Sequence, residues 1–453
     1  MRLSEWGSTE SAEMSPFHAL SAGNTERAGS GGGAGGGGGG GGGFVIPRHA
    51  NPNASVRTTR QRCMHPTSTT RVAPDVVPVT GQPRPCPTPT RTGILAPLTE
   101  ARTDPDLLYI GTYTESIHLV RMDRRSGELV RVGAVNAGAN PSFLSMHPNG
   151  RMLYAVNELE KAGTVSAFTI DRATGALTRL NEQPSQGGSP CYVSVDHSGQ
   201  VVLVANYAKG TVALLPIEAN GALAPATFVS DRAVLRRTKG PNAERQEGPH
   251  AHCILPDPSN RFALAADLGA DRVFVYRLDL DGKALRHIEE GDAVMRPGAG
   301  PRHLAFHPTL PLVFVANELD STVATLRFDS ARGALSLLDT RSTVPPGWTG
   351  TNYPADVHVA SSGRTLYVSN RGHNSIAVFS VAEPTGALAL EQVVSTDGDW
   401  PRNFSLDPTG RWLLVANQRS DSVVVFGRDP DTGRLTPTRQ RIAIPSPVCL
   451  RFA

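Results

Sequence analysis

The chain has 453 residues, a formal net charge of +3 and 39% hydrophobic residues, with 46 glycines and 36 prolines. A charge this close to neutral argues against partners recognised by charge alone, such as nucleic acid or an anionic membrane surface. No stretch approaches eighteen consecutive apolar residues, so no membrane-spanning segment is expected. The five cysteines form no CxxC pair, which favours reduced thiols and a cytoplasmic protein.

Residues 1–103 differ in composition from the rest of the chain. They carry ten arginines against six acidic residues, and positions 31–43 are all glycine except Ala34. A glycine tract behaves as flexible coil, and the segment after it, rich in Arg, Pro, Thr and Ser, cannot bury enough apolar surface to fold. We therefore predict a disordered extension over 1–103 and one folded domain over 104–453. An organelle-targeting leader is the alternative, although Glu5, Glu10 and Glu13 disfavour it.

From Leu107 onwards a repeat of about fifty residues dominates the sequence. Each unit begins with Pro-x-x and an apolar strand, turns at Pro and Gly, runs through a second apolar strand that ends in Asn or Asp, and closes with a third strand. Counting from Asn157, the last residues of the second strands are 49, 61, 50, 53 and 47 residues apart. These second strands are expected, in chain order, at 153–157, 201–206, 262–267, 312–317, 365–370 and 412–417. Such a period with three or four short strands per unit is typical of propeller blades.

Six units are complete and the seventh is split between the two ends of the chain. The segment from Pro447 to Phe452 supplies only an opening strand, and residues 107–129 supply the strands that should follow it. Pairing the two ends closes a ring and removes two free sheet edges. The sequence therefore predicts an all-β fold, a seven-bladed β-propeller closed by its N- and C-terminal strands.

The residues shared by all units are interpreted as scaffold, because Asn caps turns with left-handed backbone geometry and Gly supplies positive φ in hairpins. Function should then come from positions at which the units differ. The starts of the inner strands and the ends of the second strands share one face near the central channel. The first row of residues follows the opening proline, with an offset of two residues in the third unit, and reads Ser142, Cys191, His252, Arg302, Ala355, Arg402 and Val448. The second row follows the closing Asn or Asp and reads Glu158, Tyr207, Leu268, Glu318, Arg371 and Gln418.

So many charged side chains on one face are costly unless they are paired. Their convergence from separate blades predicts a site for a polar small molecule, and ion pairs around a water-filled channel are the alternative interpretation. The unit around His252 also carries the longest insertion, residues 239–252, which is expected on the same face.

The pair His250 and His252 projects two imidazoles to one side of a strand and could chelate zinc. Zinc would need a third ligand such as His358 or His373, and no spacing selects one. No Gly-x-Ser-x-Gly elbow occurs, and no Ser or Cys is marked as a nucleophile. We expect neither a metal nor a cofactor, and a water molecule as the attacking group with a carboxylate or imidazole as its base.

Several long motifs occur in order between Leu107 and Phe452, and together they resemble those of the propeller-type 6-phosphogluconolactonases. The motifs span residues 240–252, 300–308, 315–319, 352–358, 367–375 and 400–404. The same family includes the fungal carboxy-muconate lactonizing enzyme. The resemblance implies a seven-bladed propeller that hydrolyses the lactone of 6-phosphogluconate, a sugar-phosphate intermediate of the pentose phosphate pathway, without a cofactor.

The resemblance carries catalytic roles onto Arg302 and Glu318, onto the pair His250 and His252, and onto Arg371. Opening a δ-lactone requires a base for water, stabilisation of the carbonyl oxygen and a proton for the departing ring oxygen. Glu318 is expected to activate water, Arg302 to stabilise the oxyanion, and one of the two histidines to protonate the leaving group.

Substrate binding is expected from further polar residues of the same motifs and rows. Arg371 and Arg402 are the candidates for a dianionic phosphate, and His358 and Asn403 for sugar hydroxyls. The remaining candidates are Gln418, His303 and Arg245.

Two other functions stay open at this point. A muconate-type lactonizing cycloisomerase would use the same Glu, Arg and His residues to move a proton to or from carbon. A non-catalytic propeller would use the face as a binding module.

Overall fold

The computed structural model describes residues 106–230 and 240–453, and these two ranges contain strands and short 3-10 turns but no α-helix. The predicted disordered extension over 1–103, with its glycine tract, lies outside the described residues, as do positions 231–239, the last of which begins the insertion. The first eleven strands, in chain order, are β1 (Asp106–Thr112), β2 (Ser116–Met122), β3 (Leu129–Asn136), β4 (Leu144–Met146), β5 (Met152–Asn157), β6 (Thr164–Ile170), β7 (Leu177–Pro184), β8 (Pro190–Val195), β9 (Val201–Asn206), β10 (Thr211–Pro216) and β11 (Phe228–Val229).

The second described range holds the remaining strands and two single-turn 3-10 helices, Glu289–Gly291 and Gln418–Ser420. Its strands are β12 (Ala251–Pro256), β13 (Phe262–Asp267), β14 (Arg272–Asp279), β15 (Ala284–His287), β16 (Ala293–Val294), β17 (Pro301–Phe306), β18 (Leu312–Asn317), β19 (Thr322–Asp329), β20 (Ala334–Ser342), β21 (Tyr353–Val359), β22 (Thr365–Arg371), β23 (Ser375–Ala382), β24 (Ala387–Ser395), β25 (Pro401–Leu406), β26 (Trp412–Asn417), β27 (Ser422–Arg428), β28 (Leu435–Ala443) and β29 (Pro447–Phe452).

The strands form seven antiparallel sheets, each a blade of a propeller. Blade 1 has the order β29-β1-β2-β3; blades 2 and 3 comprise β4 to β7 and β8 to β11; blade 4 comprises β12 to β15, with β16 beside β14; blades 5, 6 and 7 comprise β17 to β20, β21 to β24 and β25 to β28. In blade 1 the last strand of the chain pairs with the first, with Tyr109 opposite Arg451 and Ile110 opposite Leu450. The predicted fold and its closure by the two termini are confirmed.

Burial explains why the second strand of each unit reads as a continuous apolar run. A blade is covered by a neighbour on each face, so every residue of β9 and of β18 is buried. Outer strands lose this cover: in β28 only Leu435 is buried, and the exposed positions include Thr436, Arg439 and Arg441. The hydrophobic core lies between blades, as in the cluster that joins Tyr367 of blade 6 to Phe404 and Leu413 of blade 7.

The predicted scaffold role is confirmed for glycine. Gly199 has φ 73° in its hairpin, and an added Cβ would lie 2.3 Å from His147 Nε2. For the strand-end asparagine, local bonding across the turn is found, as from Asn206 Nδ2 to Thr211 Oγ1 at 3.2 Å, but left-handed backbone geometry is not. The asparagine at the strand end instead has an extended backbone. Asn157 donates through Nδ2 to Ala137 O at 2.8 Å and to Ala139 O at 3.0 Å. Ala137 and Ala139 lie in the segment that leads from blade 1 into blade 2, so this asparagine ties consecutive blades together.

Candidate active site

A β-bulge at the start of the opening strand, present in every blade except blade 2, positions the first row of residues. In blade 5, Pro301 pairs with Asn317 and His303 pairs with Ala316, so Arg302 has no partner in the ladder. The same irregularity affects Cys191, His252, Arg402 and Val448. A bulge redirects one side chain out of the regular alternation, and here it brings the first row against the second.

Glu318 is the centre of the site and is only 3% exposed. Its Oε1 accepts a hydrogen bond from Arg245 Nη2 at 2.6 Å, and its Oε2 accepts one from Arg371 Nη2 at 2.7 Å. Arg302 Nε lies 3.1 Å from Oε2, although its N–H is not directed at the oxygen. Burial raises the pKa of Glu318, but Arg371, Arg245 and Arg302 outweigh burial and hold it well below its usual range. Glu318 is therefore an ionised carboxylate whose two oxygens are both occupied.

The arginines around Glu318 differ in how many donors they leave unused. Arg371 also donates from Nε to Tyr353 O at 3.2 Å, and burial lowers its pKa to about 9, so it stays charged at neutral pH. Arg302 donates from Nη1 to Ala355 O at 2.6 Å and to His303 Nε2 at 3.0 Å. Its Nη2 has no protein acceptor among the described residues. Arg302 therefore presents donors to the channel from a guanidinium that is otherwise held fast.

The two histidines of the insertion have different environments. His250 stacks on Tyr207 at 4.4 Å between ring centroids, and its Nδ1 and Nε2 lie 3.0 Å from Tyr207 O and from Glu247 Oε1. His252 has its Nδ1 3.7 Å from Cys191 Sγ, and its Nε2 has no partner in the part of the chain that the structure describes. Burial, followed by Arg302, lowers the pKa of His252 well below its usual value. His252 is therefore a neutral imidazole with one free ring nitrogen.

Arg402 of blade 7 and Glu158, which follows the second strand of blade 2, share the ring of Tyr113 as a neighbour. The guanidinium of Arg402 lies 5.1 Å from the centroid of the Tyr113 ring, and it has neither a hydrogen bond nor an ion pair with any residue in 106–230 or 240–453. Tyr113 Oη and Ser142 Oγ donate to Glu158, at 3.0 Å and 2.5 Å. Glu158 thus has hydroxyl partners and no cation within ion-pair distance, and Arg402 is an unpaired cation.

Three of the predicted substrate-binding residues lie beneath this cluster rather than in it. His303, His358 and Asn403 all bond to the buried carboxylate of Asp356, through His303 Nδ1 at 2.8 Å, His358 Nε2 at 3.0 Å and Asn403 Nδ2 at 2.5 Å. Gln418 reaches the site level, where its Oε1 is buried and lacks a donor in the described part of the chain. The structure thus gathers Glu318, Arg302, Arg371, Arg245, His252 and Arg402 at one level, with His250 beside them.

The predicted alternative of a zinc site finds no support in the geometry. His358 and His373, the possible third ligands, contact Asp356 and Ser375 instead of the histidine pair. No group of three His, Cys, Asp or Glu side chains within the described ranges could hold a metal ion.

The same ranges contain no helix that is long and apolar enough to span a membrane.

Three polar residues of the site are absent from the predicted set. Tyr113 follows the strand end at Thr112 and is therefore the seventh member of the second row. Glu158 belongs to that row but has no match in the family motifs quoted above. Asp356 follows the first-row residue Ala355, and the recurrence of His303, Asp356 and Asn403 one position after the first row is the signal that could have revealed it.

The fold is a seven-bladed β-propeller in which residues from separate blades gather into one cluster of ionisable side chains. The family model described as "Lactonase, 7-bladed beta-propeller" matches residues 107–452. The chain belongs to this lactonase family and is accordingly an enzyme that hydrolyses a cyclic ester.

Relatives with assigned names agree with this membership. The chain is 39% identical over 348 residues to a 6-phosphogluconolactonase of Bacillus subtilis, across 76% of this chain and 97% of that protein. It is 32% identical over 351 residues to a 6-phosphogluconolactonase of Formosa agariphila, across 74% and 96% respectively. The solved structure of a periplasmic gluconolactonase from Pseudomonas aeruginosa matches with a TM-score of 0.71 and 33% identity, across 77% of this chain and 99% of that one.

Proposed function

We propose that the enzyme hydrolyses a phosphorylated sugar lactone, 6-phospho-glucono-1,5-lactone, to 6-phosphogluconate, a reaction of the pentose phosphate pathway. The observation that carries the phosphate is the unpaired guanidinium of Arg402 at the channel mouth. A guanidinium without a hydrogen bond or an ion pair among the described residues is available to an anionic ligand, and guanidinium donors match the oxygens of phosphate. Names of the relatives support the same substrate.

The charge balance of the site supports a doubly charged ligand. Four guanidiniums, those of Arg245, Arg302, Arg371 and Arg402, face two carboxylates, Glu318 and Glu158. The cationic excess is two, and a phosphate monoester carries a charge between −1.5 and −2 at neutral pH. Arg371 and Arg245 are committed to Glu318, so Arg402 is the group to which we assign the phosphate.

Arg302 is assigned to the carbonyl oxygen of the lactone. Its Nη2 group presents donors to the channel, its Nη1 is fixed by Ala355 O and His303 Nε2, and its Nε lies at ion-pair distance from Glu318 Oε2. Donors that are already oriented where negative charge develops contribute most to catalysis, and the loss of one costs about 10²–10³-fold in turnover.

His252 is assigned to proton transfer. Its free Nε2 is neutral at the start of the reaction, so it accepts a proton from water as the water oxygen bonds to the carbonyl carbon. It then returns this proton to the ring oxygen as the ring C–O bond breaks. The new carboxylic acid loses its proton to solvent, which balances the reaction.

Glu318 is assigned a different role from the water-activating base expected on sequence grounds. Both of its oxygens already accept hydrogen bonds from guanidiniums, whereas His252 Nε2 has no partner among the described residues. In this proposal the carboxylate aligns Arg302, Arg371 and Arg245 and offsets their mutual repulsion.

The test is the wild-type rate on freshly generated 6-phosphogluconolactone, on unphosphorylated gluconolactone and on a carboxylated muconolactone, each corrected for spontaneous hydrolysis. We expect kcat/KM to be at least tenfold higher for the phosphorylated lactone than for the other two. A preference for the muconolactone would support a cycloisomerase instead, and no turnover of any of the three would leave a non-catalytic binding module.

A further inference from the structure

A second layer of side chains, here called the lower layer, lies directly beneath the first row. It consists of the next residue of each opening segment, namely Phe143, Tyr192, Cys253, His303, Asp356, Asn403 and Cys449. The rings of Phe143 and Tyr192 stack at 4.1 Å, and both meet the His303 ring edge to face, at 5.7 and 5.2 Å between centroids. Side chains of blades 2, 3 and 5 thus pack against one another in the lower layer, and this layer supports the first row.

A chain of hydrogen bonds connects the lower layer to the guanidinium of Arg302, which is assigned to the oxyanion. His303 Nδ1 lies 2.8 Å from Asp356 Oδ1, and His303 Nε2 lies 3.0 Å from Arg302 Nη1. A guanidinium can only donate, so Nε2 must accept and the ring proton must sit on Nδ1, from which it is donated to Asp356. Burial, followed by Arg302, lowers the pKa of His303 to about 3. The ring is therefore neutral at neutral pH, which is the state that this chain of bonds requires.

Asp356 is itself held from several blades. Its Oδ1 also accepts from Val357 N at 3.0 Å, and its Oδ2 accepts from His358 Nε2 at 3.0 Å and from Asn403 Nδ2 at 2.5 Å. Asn403 Oδ1 in turn accepts from Leu450 N at 2.7 Å. The carboxylate is 4% exposed and links blades 5, 6, 7 and 1. A buried polar network with every partner satisfied is rigid, so Asp356 can act as a fixed reference for the His303 ring.

We propose that Asp356 and His303 are positioning residues of the lactonase site, which fix the rotation of the Arg302 guanidinium so that its Nη2 donors meet the developing oxyanion. This inference rests on the proposed role of Arg302. Both ring nitrogens of His303 and both oxygens of Asp356 have protein partners, so neither residue has a group to spare for substrate. A misplacement of about 1 Å can cost about 10²-fold in rate, and this loss should fall on kcat rather than on KM.

Two substitutions of His303 separate positioning from mere packing. In His303→Gln the side-chain amide reaches the position of Nε2 and can still accept from Arg302. In His303→Asn the amide reaches only the position of Nδ1, so Arg302 Nη1 loses its side-chain acceptor and keeps only Ala355 O. We expect kcat on the phosphorylated lactone to fall less than about tenfold in His303→Gln and about 10²-fold in His303→Asn, with KM within about threefold of wild type in both. Equal kcat values for the two variants would overturn the proposal.

Asp356→Asn tests the other end of the chain of bonds. The amide places an N–H₂ group against one of the donors that now surround the carboxylate, and we expect kcat to fall about tenfold or more. Asp407→Asn is the matched control: Asp407 is also a buried carboxylate and bonds to Thr409 N and Trp412 N, but it lies at the opposite end of blade 7. A lower melting temperature in both variants, with kcat unchanged in both, would make Asp356 merely structural.

A readout without substrate separates this inference from the proposed function. The Nη resonances of Arg302 in ¹⁵N-labelled protein should show slow guanidinium rotation in wild type and in His303→Gln, and averaged signals in His303→Asn. The same averaged signals in wild type would refute the positioning role even if lactone is hydrolysed. Absence of lactone turnover in wild type, with the resonances as expected, would refute the proposed function and leave the fixed guanidinium intact.

Discussion

Arg402→Ala is the substitution whose consequences the structure defines most sharply. Arg402 has no ion pair to break among the described residues, and its charge lowers the pKa of both Arg302 and Arg371, though less than their burial does. Its removal forfeits the contact with the Tyr113 ring, worth about 0.5–1 kcal/mol. It also forfeits the attraction of Tyr113, Glu158 and Glu318, which outweighs burial and raises the pKa of Arg402, but it relieves the repulsion from Arg302 and Arg371. Because these changes oppose one another, we expect only a small shift in the melting temperature.

The effect on catalysis should depend on the phosphate of the substrate. A hydrogen bond to a charged group contributes about 1.5–3 kcal/mol, and each 1.4 kcal/mol corresponds to about a tenfold change. For the phosphorylated lactone, kcat/KM should therefore fall about 10- to 150-fold. For gluconolactone, which has no phosphate, the change should stay within about threefold. The assay is initial-rate hydrolysis of each lactone, with the spontaneous rate subtracted.

Arg411→Ala is the matched control. Arg411 belongs to blade 7, as Arg402 does, and it too lies over an aromatic ring, at 6.0 Å from the Trp412 centroid. It lies, however, at the opposite end of the blade. This substitution should leave both rates unchanged. An equal loss for the two lactones in Arg402→Ala would refute the assignment of the phosphate to Arg402.

Three further outcomes are expected. Glu318→Gln leaves three guanidiniums without their shared anion. Because breaking a buried ion pair costs about 3–5 kcal/mol, both the melting temperature and kcat should drop. An active variant of unchanged stability would contradict the role of Glu318. The unfolded chain protonates His303 near pH 6.5, whereas the folded chain does so only at about pH 3, so acidification between these values destabilises the fold by up to about 1.4 kcal/mol per pH unit for this group. The dependence of the unfolding free energy on pH, measured by urea unfolding from pH 6.5 to 4.5, should therefore be weaker in His303→Gln. An unchanged pH dependence would show that the ring is protonated in the folded state. Deletion of residues 447–453 removes β29 and the buried Leu450, so it should lower the melting temperature of the whole ring, and an unaltered melting curve would contradict closure through blade 1.

The blade architecture could be predicted because each unit repeats the same physical problem. A strand buried on both faces must be apolar, and the turn after it needs Pro and Gly, so the pattern of Val201 to Asn206 returns in every unit. The split blade followed from counting strands. The role of the strand-end asparagine could not be predicted in this way, because Asn157 bonds across to the preceding blade, and local turn preferences contain no information about such contacts.

The matched rows predicted which side chains would meet, but not how they share their hydrogen bonds. Both His303 and Arg402 stand out as polar residues near an opening proline. Only the bulge in each strand shows that Arg402 belongs to the first row and His303 to the lower layer. In the same way, sequence favours Glu318 as a base because it is a carboxylate among arginines. Its two occupied oxygens become evident only once three blades are brought together.

The central claim, that the mouth of the channel is a lactonase site for a phosphorylated substrate, is tested most directly by a crystal structure of the protein with 6-phosphogluconate, the product of the proposed reaction. We predict that the product carboxylate lies within hydrogen-bond distance of Arg302 Nη2 and near His252 Nε2, and that its phosphate contacts Arg402. A product bound elsewhere on the propeller, or a channel mouth without product at a saturating concentration, would contradict the account.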